Sequence, residues 1–85
     1  MQTFTREMRG IPFFLLKEYL QEMGGKETEP DVMQTAGWRV KLERMEPFRL
    51  GSLSVGQTRL FVELQDEAAE EFMRIFSMKT LRAGA

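Results

Sequence analysis

Four basic side chains and one aromatic could together do recognition chemistry: Arg39, Lys41, Arg49 and Arg59, with Phe61. Residues two apart on a strand share a face, so these five read as an open sheet surface that could grip an anionic or aromatic partner, nucleic acid included. The alternative is a wet sheet face whose cations pair with Glu43, Glu46 and Glu63 on neighbouring strands. Pairing leaves Phe61 unexplained, because an aromatic on the wet face marks a contact surface, most simply a dimer interface. Trp38 reads either as a ligand-stacking residue or as a core anchor, and its phase with Val40 and Leu42 points to the core. Seven methionines could line an adaptable apolar pocket, and Trp38, Met73 and Phe76 would wall a cavity between the last helix and the sheet. Ordinary core filling accounts for the same residues.

Other chemistry lacks its groups. The chain has no histidine and no cysteine, so zinc and softer metals have no ligands, a nucleophilic triad has no base, and no disulfide forms. Carboxylates pair at Glu27 with Glu29 and at Glu70 with Glu71, but in polar segments where both members stay solvated rather than poised as acid and base. No phosphate-cradling glycine motif occurs, and Gly24-Gly25 reads as a helix cap. No catalytic residue, metal or cofactor is expected.

The elements that must position these residues follow from periodicity. Trp38, Val40 and Leu42 alternate with Arg39, Lys41 and Glu43; Leu60, Val62 and Leu64 alternate with Arg59, Phe61 and Glu63. Period two with apolar and charged residues interleaved predicts a sheet with one buried and one wet face. Gln2–Arg9 reads as a first strand, with Phe4 and Met8 on one side and Arg6 between them. Pro12–Met23 reads as a helix with Phe13, Leu16, Leu20 and Met23 inward and Pro12 in its first turn. Lys26–Pro30 reads as a polar connector, Val32–Ala36 as a short strand, and Ala36-Gly37 as a hairpin turn. Trp38–Met45 is the best strand, closed by Pro47, which cannot donate to a ladder. Between Phe48 and Leu64 the apolar parity changes twice, so either two strands meet near Gly56 or one strand is kinked there; two strands are preferred. Asp66 is placed to cap a last helix that buries Ala69, Phe72, Met73 and Phe76, with a Glu70–Arg74 pair on its surface and a frayed end at Ala83-Gly84-Ala85.

At 85 residues there is room for one core, so residues 1–85 are expected to form a single domain. Twelve basic and thirteen acidic residues are too balanced for a polyelectrolyte binder, so nucleic acid is not expected as a partner. The longest apolar run, Ile11–Leu16, is far too short to cross a bilayer, and no secretory signal is visible, so a cytoplasmic protein without membrane contact is expected. With no cross-link to staple so small a fold, a homo-oligomer is expected. Strand, helix, several antiparallel strands, helix amounts to an α+β two-layer sandwich with both helices on one face; a ferredoxin-like arrangement is the alternative.

Phe4-Thr5-Arg6, Leu15-Leu16-Lys17-Glu18-Tyr19-Leu20, Gly24-Gly25, Glu46-Pro47-Phe48-Arg49-Leu50-Gly51-Ser52-Leu53-Ser54 and the closing Arg82-Ala83-Gly84-Ala85 together resemble a known bacterial domain. It is the C-terminal half of MoaD-related proteins, whose N-terminal half resembles the ubiquitin-like small subunit of molybdopterin synthase. The resemblance runs nearly end to end and rests on turn residues, so it implies a fold and no catalytic group. The implied fold is like the TATA-binding protein repeat: a strand, a helix, four antiparallel strands and a second helix. The family has no established activity. Its setting implies a link to molybdenum-cofactor synthesis and a ubiquitin-like sulfur carrier as one partner. The chain starts at Met1 with no ubiquitin-like domain ahead and ends in Gly84-Ala85 rather than Gly-Gly, so it is not expected to be a carrier itself. The function expected is a non-catalytic interaction or accessory domain that self-associates or docks through its open sheet face. The alternative is a small-molecule binder using the apolar cavity between helix and sheet.

Overall fold

Alternation decides the sheet. Val40, Leu60 and Leu64 are fully buried and Trp38, Leu42 and Val62 nearly so, while Arg39, Glu43, Arg59 and Glu63 stay on the open side. The structure is a computed structural model that describes residues 1–84, with side chains through Leu81. It contains β1 (Gln2–Arg9), α1 (Phe13–Glu22), β2 (Lys26–Glu29), β3 (Val32–Gln34), β4 (Trp38–Leu50), β5 (Leu53–Leu64) and α2 (Asp66–Gly84). The five strands form one antiparallel sheet in the order β1-β5-β4-β3-β2. Phe13, Leu16 and Leu20 of α1 and Ala69, Phe72 and Phe76 of α2 join the inward strand residues in one apolar cluster, so both helices cover the same face. This is the expected α+β two-layer sandwich, with the order strand, helix, four strands, helix. A ferredoxin-like order fails, because four strands follow α1 without the second helix that such an order places after two of them.

Pro12 precedes α1, and Gly24, at φ +100°, turns the chain out of it, a conformation a side chain would oppose. Gly25 then passes beneath the indole of Trp38 so closely that a Cβ there would lie 2.6 Å from the ring. Trp38 meets Phe72 edge-on at 5.2 Å between centroids, and Phe72 stacks on Phe76 at 5.5 Å. Asp66 is the first residue of α2 rather than its cap, and its carboxylate pairs with the Met1 amino group at 3.2 Å. Arg74 reaches Glu71, at 3.9 Å, instead of the expected Glu70. The backbone of α2 continues through Ala83 and Gly84, where a frayed end was expected; Ala85 lies outside the described residues. Among the described residues, no helix is long and apolar enough to cross a membrane.

Three boundaries differ from expectation. Lys26–Glu29 is a strand and not a connector: it pairs with β3 at the sheet's edge with every side chain exposed. Pro47 does not end β4. The register jumps between Met45 and Phe48, leaving Glu46 and Pro47 in a bulge where a missing N–H costs no ladder bond. Pairing then resumes, and β4 meets β5 across Gly51-Ser52, not near Gly56. Gly51, at φ +61°, supplies the positive first angle that a two-residue hairpin loop needs. β1 follows β5 only as far as Gln57, and β3 follows β4 only to Lys41. Beyond them the β4–β5 pair stands alone as a two-stranded ribbon, stretching the molecule to 43 × 25 × 21 Å.

Candidate interaction surface

Register brings Thr5, Phe61 and Lys41 side by side on three adjacent strands of the open face. The next row is Thr3, Glu63 and Arg39; on the other side lies Glu7, Arg59 and Glu43. Phe61 is half-buried in a shallow groove of about 410 Å³ walled by Thr3, Thr5, Arg39, Lys41 and Glu63. The groove has an apolar floor and a polar wall, suited to a protruding apolar side chain with polar groups around it.

The cations of this face are largely answered. Arg39 pairs with Glu29 at 3.0 Å and with Glu63 at 3.3 Å; Arg59 pairs with Glu7 at 3.0 Å and with Glu43 at 3.6 Å. Pairs this exposed contribute under about 1 kcal/mol each, but they neutralise the surface and leave no basic stripe for a polyanion. Lys41 makes no ion pair among the described residues. Arg49 does not belong to this group. The bulge after Met45 swaps the faces of β4, so Arg49, opposite Ser54, points to the side away from Phe61 and lies out on the ribbon.

The structure redraws the expected apolar cavity. Trp38 is buried in the core and also floors a cleft of about 300 Å³ with Met23, Gly37, Ala68, Phe72 and Ile75, Glu71 standing at its edge. Met73 and Phe76 do not line it; Phe76 is buried against Phe72, and Met73 packs on the core cluster. A second hollow of about 440 Å³ lies where the ribbon leaves the sheet, beside Ile11, Phe13 and Thr58, with the Arg44 guanidinium 4.1 Å from the Phe13 ring centre.

The acidic residues singled out by spacing act as ties. The Lys17 ammonium donates to Glu27 at 2.8 Å and to Asp31 at 3.3 Å, while Glu27 also accepts the Asp31 backbone N–H at 2.9 Å. These contacts close the β2–β3 turn, where Asp31 holds φ 62°, against α1. The hydrogen bond from Lys17, then that from the Asp31 backbone, holds the Glu27 carboxyl below its usual range. The same bond with Glu27, more than that with Asp31, raises Lys17, with burial working against it. Among the described residues no three metal-binding side chains gather.

Sequence reasoning missed the ribbon's apolar side. Phe48 pairs with Val55 and Leu50 with Leu53, putting four apolar residues on the same side as Phe61, and Leu50 and Leu53 are 66% and 65% exposed. The signal was present: two apolar pairs placed symmetrically about Gly51-Ser52.

Against known proteins, the family described as archaeal MoaD-like protein matches residues 4–85. No curated protein matches the chain.

Proposed function

Since the chain belongs to the archaeal MoaD-like protein family, we propose that it is a non-catalytic accessory domain that holds a partner protein against its open sheet face. The row Thr5–Phe61–Lys41 carries this reading, because it sets an accessible aromatic and an ammonium without an ion pair among the described residues in one groove on the sheet. Central aromatics of this kind dominate protein interfaces, with charged neighbours setting register. A ubiquitin-like sulfur carrier of molybdenum-cofactor synthesis is the partner we propose, with the domain acting in the cytoplasm; the MoaD-like family supports this reading. The groove is open along the sheet face, a form suited to a protein contact.

Titration calorimetry with such a carrier tests this. The wild-type domain is expected to bind, and Phe61→Asp to weaken binding by at least about tenfold, as loss of a central aromatic does. A wild-type chain that gives no binding heat, or a Phe61→Asp variant that binds equally well, rejects the reading.

A further inference from the structure

The hollow at the base of the ribbon is walled by the lead-in to α1 on one side and by β4 and β5 on the other. Thr58 stands opposite Arg44 in the register, two residues from the Leu60–Leu42 pair, so both side chains point to the helix side of the sheet. Thr58 is only 2% exposed, yet its hydroxyl makes no hydrogen bond among the described residues. Every sealed polar side-chain atom among those residues does have a partner. The Thr58 hydroxyl is therefore not sealed, and its outlet is the hollow that the residue lines. A buried hydroxyl without a hydrogen bond costs free energy, which a ligand's acceptor in the hollow would recover.

Other donors border the same space. The Arg44 guanidinium rests over the Phe13 ring, 4.1 Å from its centre, and makes no ion pair among the described residues. Lys17 approaches that ring from 6.0 Å, but Glu27 and Asp31 hold it. Among the described residues Arg44 is the one charged side chain in the wall, and no carboxylate lines it. Helix α1 begins at this wall. The Pro12 carbonyl accepts from Leu15 and Leu16, which leaves the N–H groups of Phe13 and Phe14 without an acceptor. No side chain caps them, and the first turn holds no acidic residue. The aligned peptides of ten helical residues place partial positive charge at this end. Ser54 adds a second hydroxyl from β5.

We propose that this hollow binds a small phosphate ester. Helix N–H groups, a guanidinium and hydroxyls, arriving from three elements, suit the three terminal oxygens of a phosphate better than the two of a carboxylate. Ile11, Phe13 and Val55 offer an apolar wall to the ester's organic part. The volume of about 440 Å³ is more than a phosphate group fills and falls within the size of small-molecule sites. Thr58 and Phe61 differ in parity on β5, so this site and the Phe61 groove lie on opposite faces of the sheet.

Proton–nitrogen correlation spectra of the full chain, titrated with inorganic phosphate, phenyl phosphate and benzoate, test this. Phenyl phosphate is expected to give saturable shifts at the N–H groups of Phe13, Phe14 and Thr58, and to bind more tightly than inorganic phosphate. Benzoate should bind at least about tenfold more weakly than phenyl phosphate, having fewer acceptor oxygens. Arg44→Gln should weaken phenyl phosphate at least about tenfold and Thr58→Val at least about threefold, as loss of one charge-assisted and one ordinary donor does. Without any anion, Thr58→Val should melt no lower than wild type, because its hydroxyl gives up no protein bond. Shifts that grow without saturating, or an Arg44→Gln chain that binds like wild type, overturn the proposal. Benzoate matching phenyl phosphate overturns the phosphate assignment, and inorganic phosphate matching it overturns the ester. A Thr58→Val chain destabilised without anion also overturns the proposal, since the hydroxyl would then have a partner within the protein. None of these measurements uses a carrier protein, so this site and the docking reading fail separately.

Discussion

Glu27 shows how one carboxylate can organise a corner of this fold. It takes the Lys17 ammonium and the Asp31 N–H together, so the tight β2–β3 turn is bound to the helix beneath it. Its folded pKa lies below the usual 4.5, and its contribution is therefore complete above 4.5 and lost as the pH falls through the lower folded value. Lys17 works in the opposite sense: raised above 10.5, it contributes fully below that value and loses its part as the pH climbs past it. Glu27→Gln should therefore lower stability at neutral pH and flatten the acid side of the stability curve, with wild type and variant converging at the acid end. Urea titrations across the range below 4.5 would read this; parallel curves would assign the acid sensitivity to other carboxylates.

The β4–β5 hairpin shows what periodicity reveals in an element and what it hides. Leu60, Val62 and Leu64 were legible as inward residues, as were Trp38, Val40 and Leu42, because burial against two helices demands unbroken alternation. The Thr35–Gly37 turn was legible too: the Thr35 hydroxyl accepts the N–H groups of Gly37 at 3.0 Å and of Trp38 at 3.1 Å. β2 was not legible, since a fully exposed edge strand is held by main-chain bonds and its side chains carry no pattern. Pro47 misled because a proline ends a ladder or sits in a bulge, and the sequence alone does not distinguish the two. That choice then misplaced Arg49, whose face depends on the bulge. Of the candidate site, Arg39, Lys41, Arg59 and Phe61 were assigned to their observed face, whereas the cavity's walls were not. The hairpin loop itself depends on Gly51, where φ is +61° and the space around a Cβ is open. Gly51→Ala is therefore expected to cost about 1 kcal/mol through backbone conformation alone. Its urea midpoint would show this, and an unchanged midpoint would mean that the loop relaxes into another turn.

Taken whole, 85 residues support only a small reserve of stability, roughly 4–13 kcal/mol at the usual yield per residue. The core is one cluster shared by both helices and by β3, β4 and β5, with Leu60 fully buried on β5, between β1 and β4. Removing its side chain down to the Cβ leaves a hole in that cluster. Leu60→Ala should cost about 2–5 kcal/mol, a large part of the total, and lower the calorimetric melting temperature steeply. A loss below about 1 kcal/mol would mean that the core collapses around the gap.

β1 has β5 as its sheet neighbour, and their register joins Gln2 to Leu64. β1 is synthesised well before β5 and must wait for it before it can enter a ladder. Contacts so remote in sequence slow folding, because loop closure precedes any gain from pairing. A nascent chain stalled before Leu64 thus carries a strand with nothing to join, and in that interval a chaperone, or a second unfinished chain, meets it first.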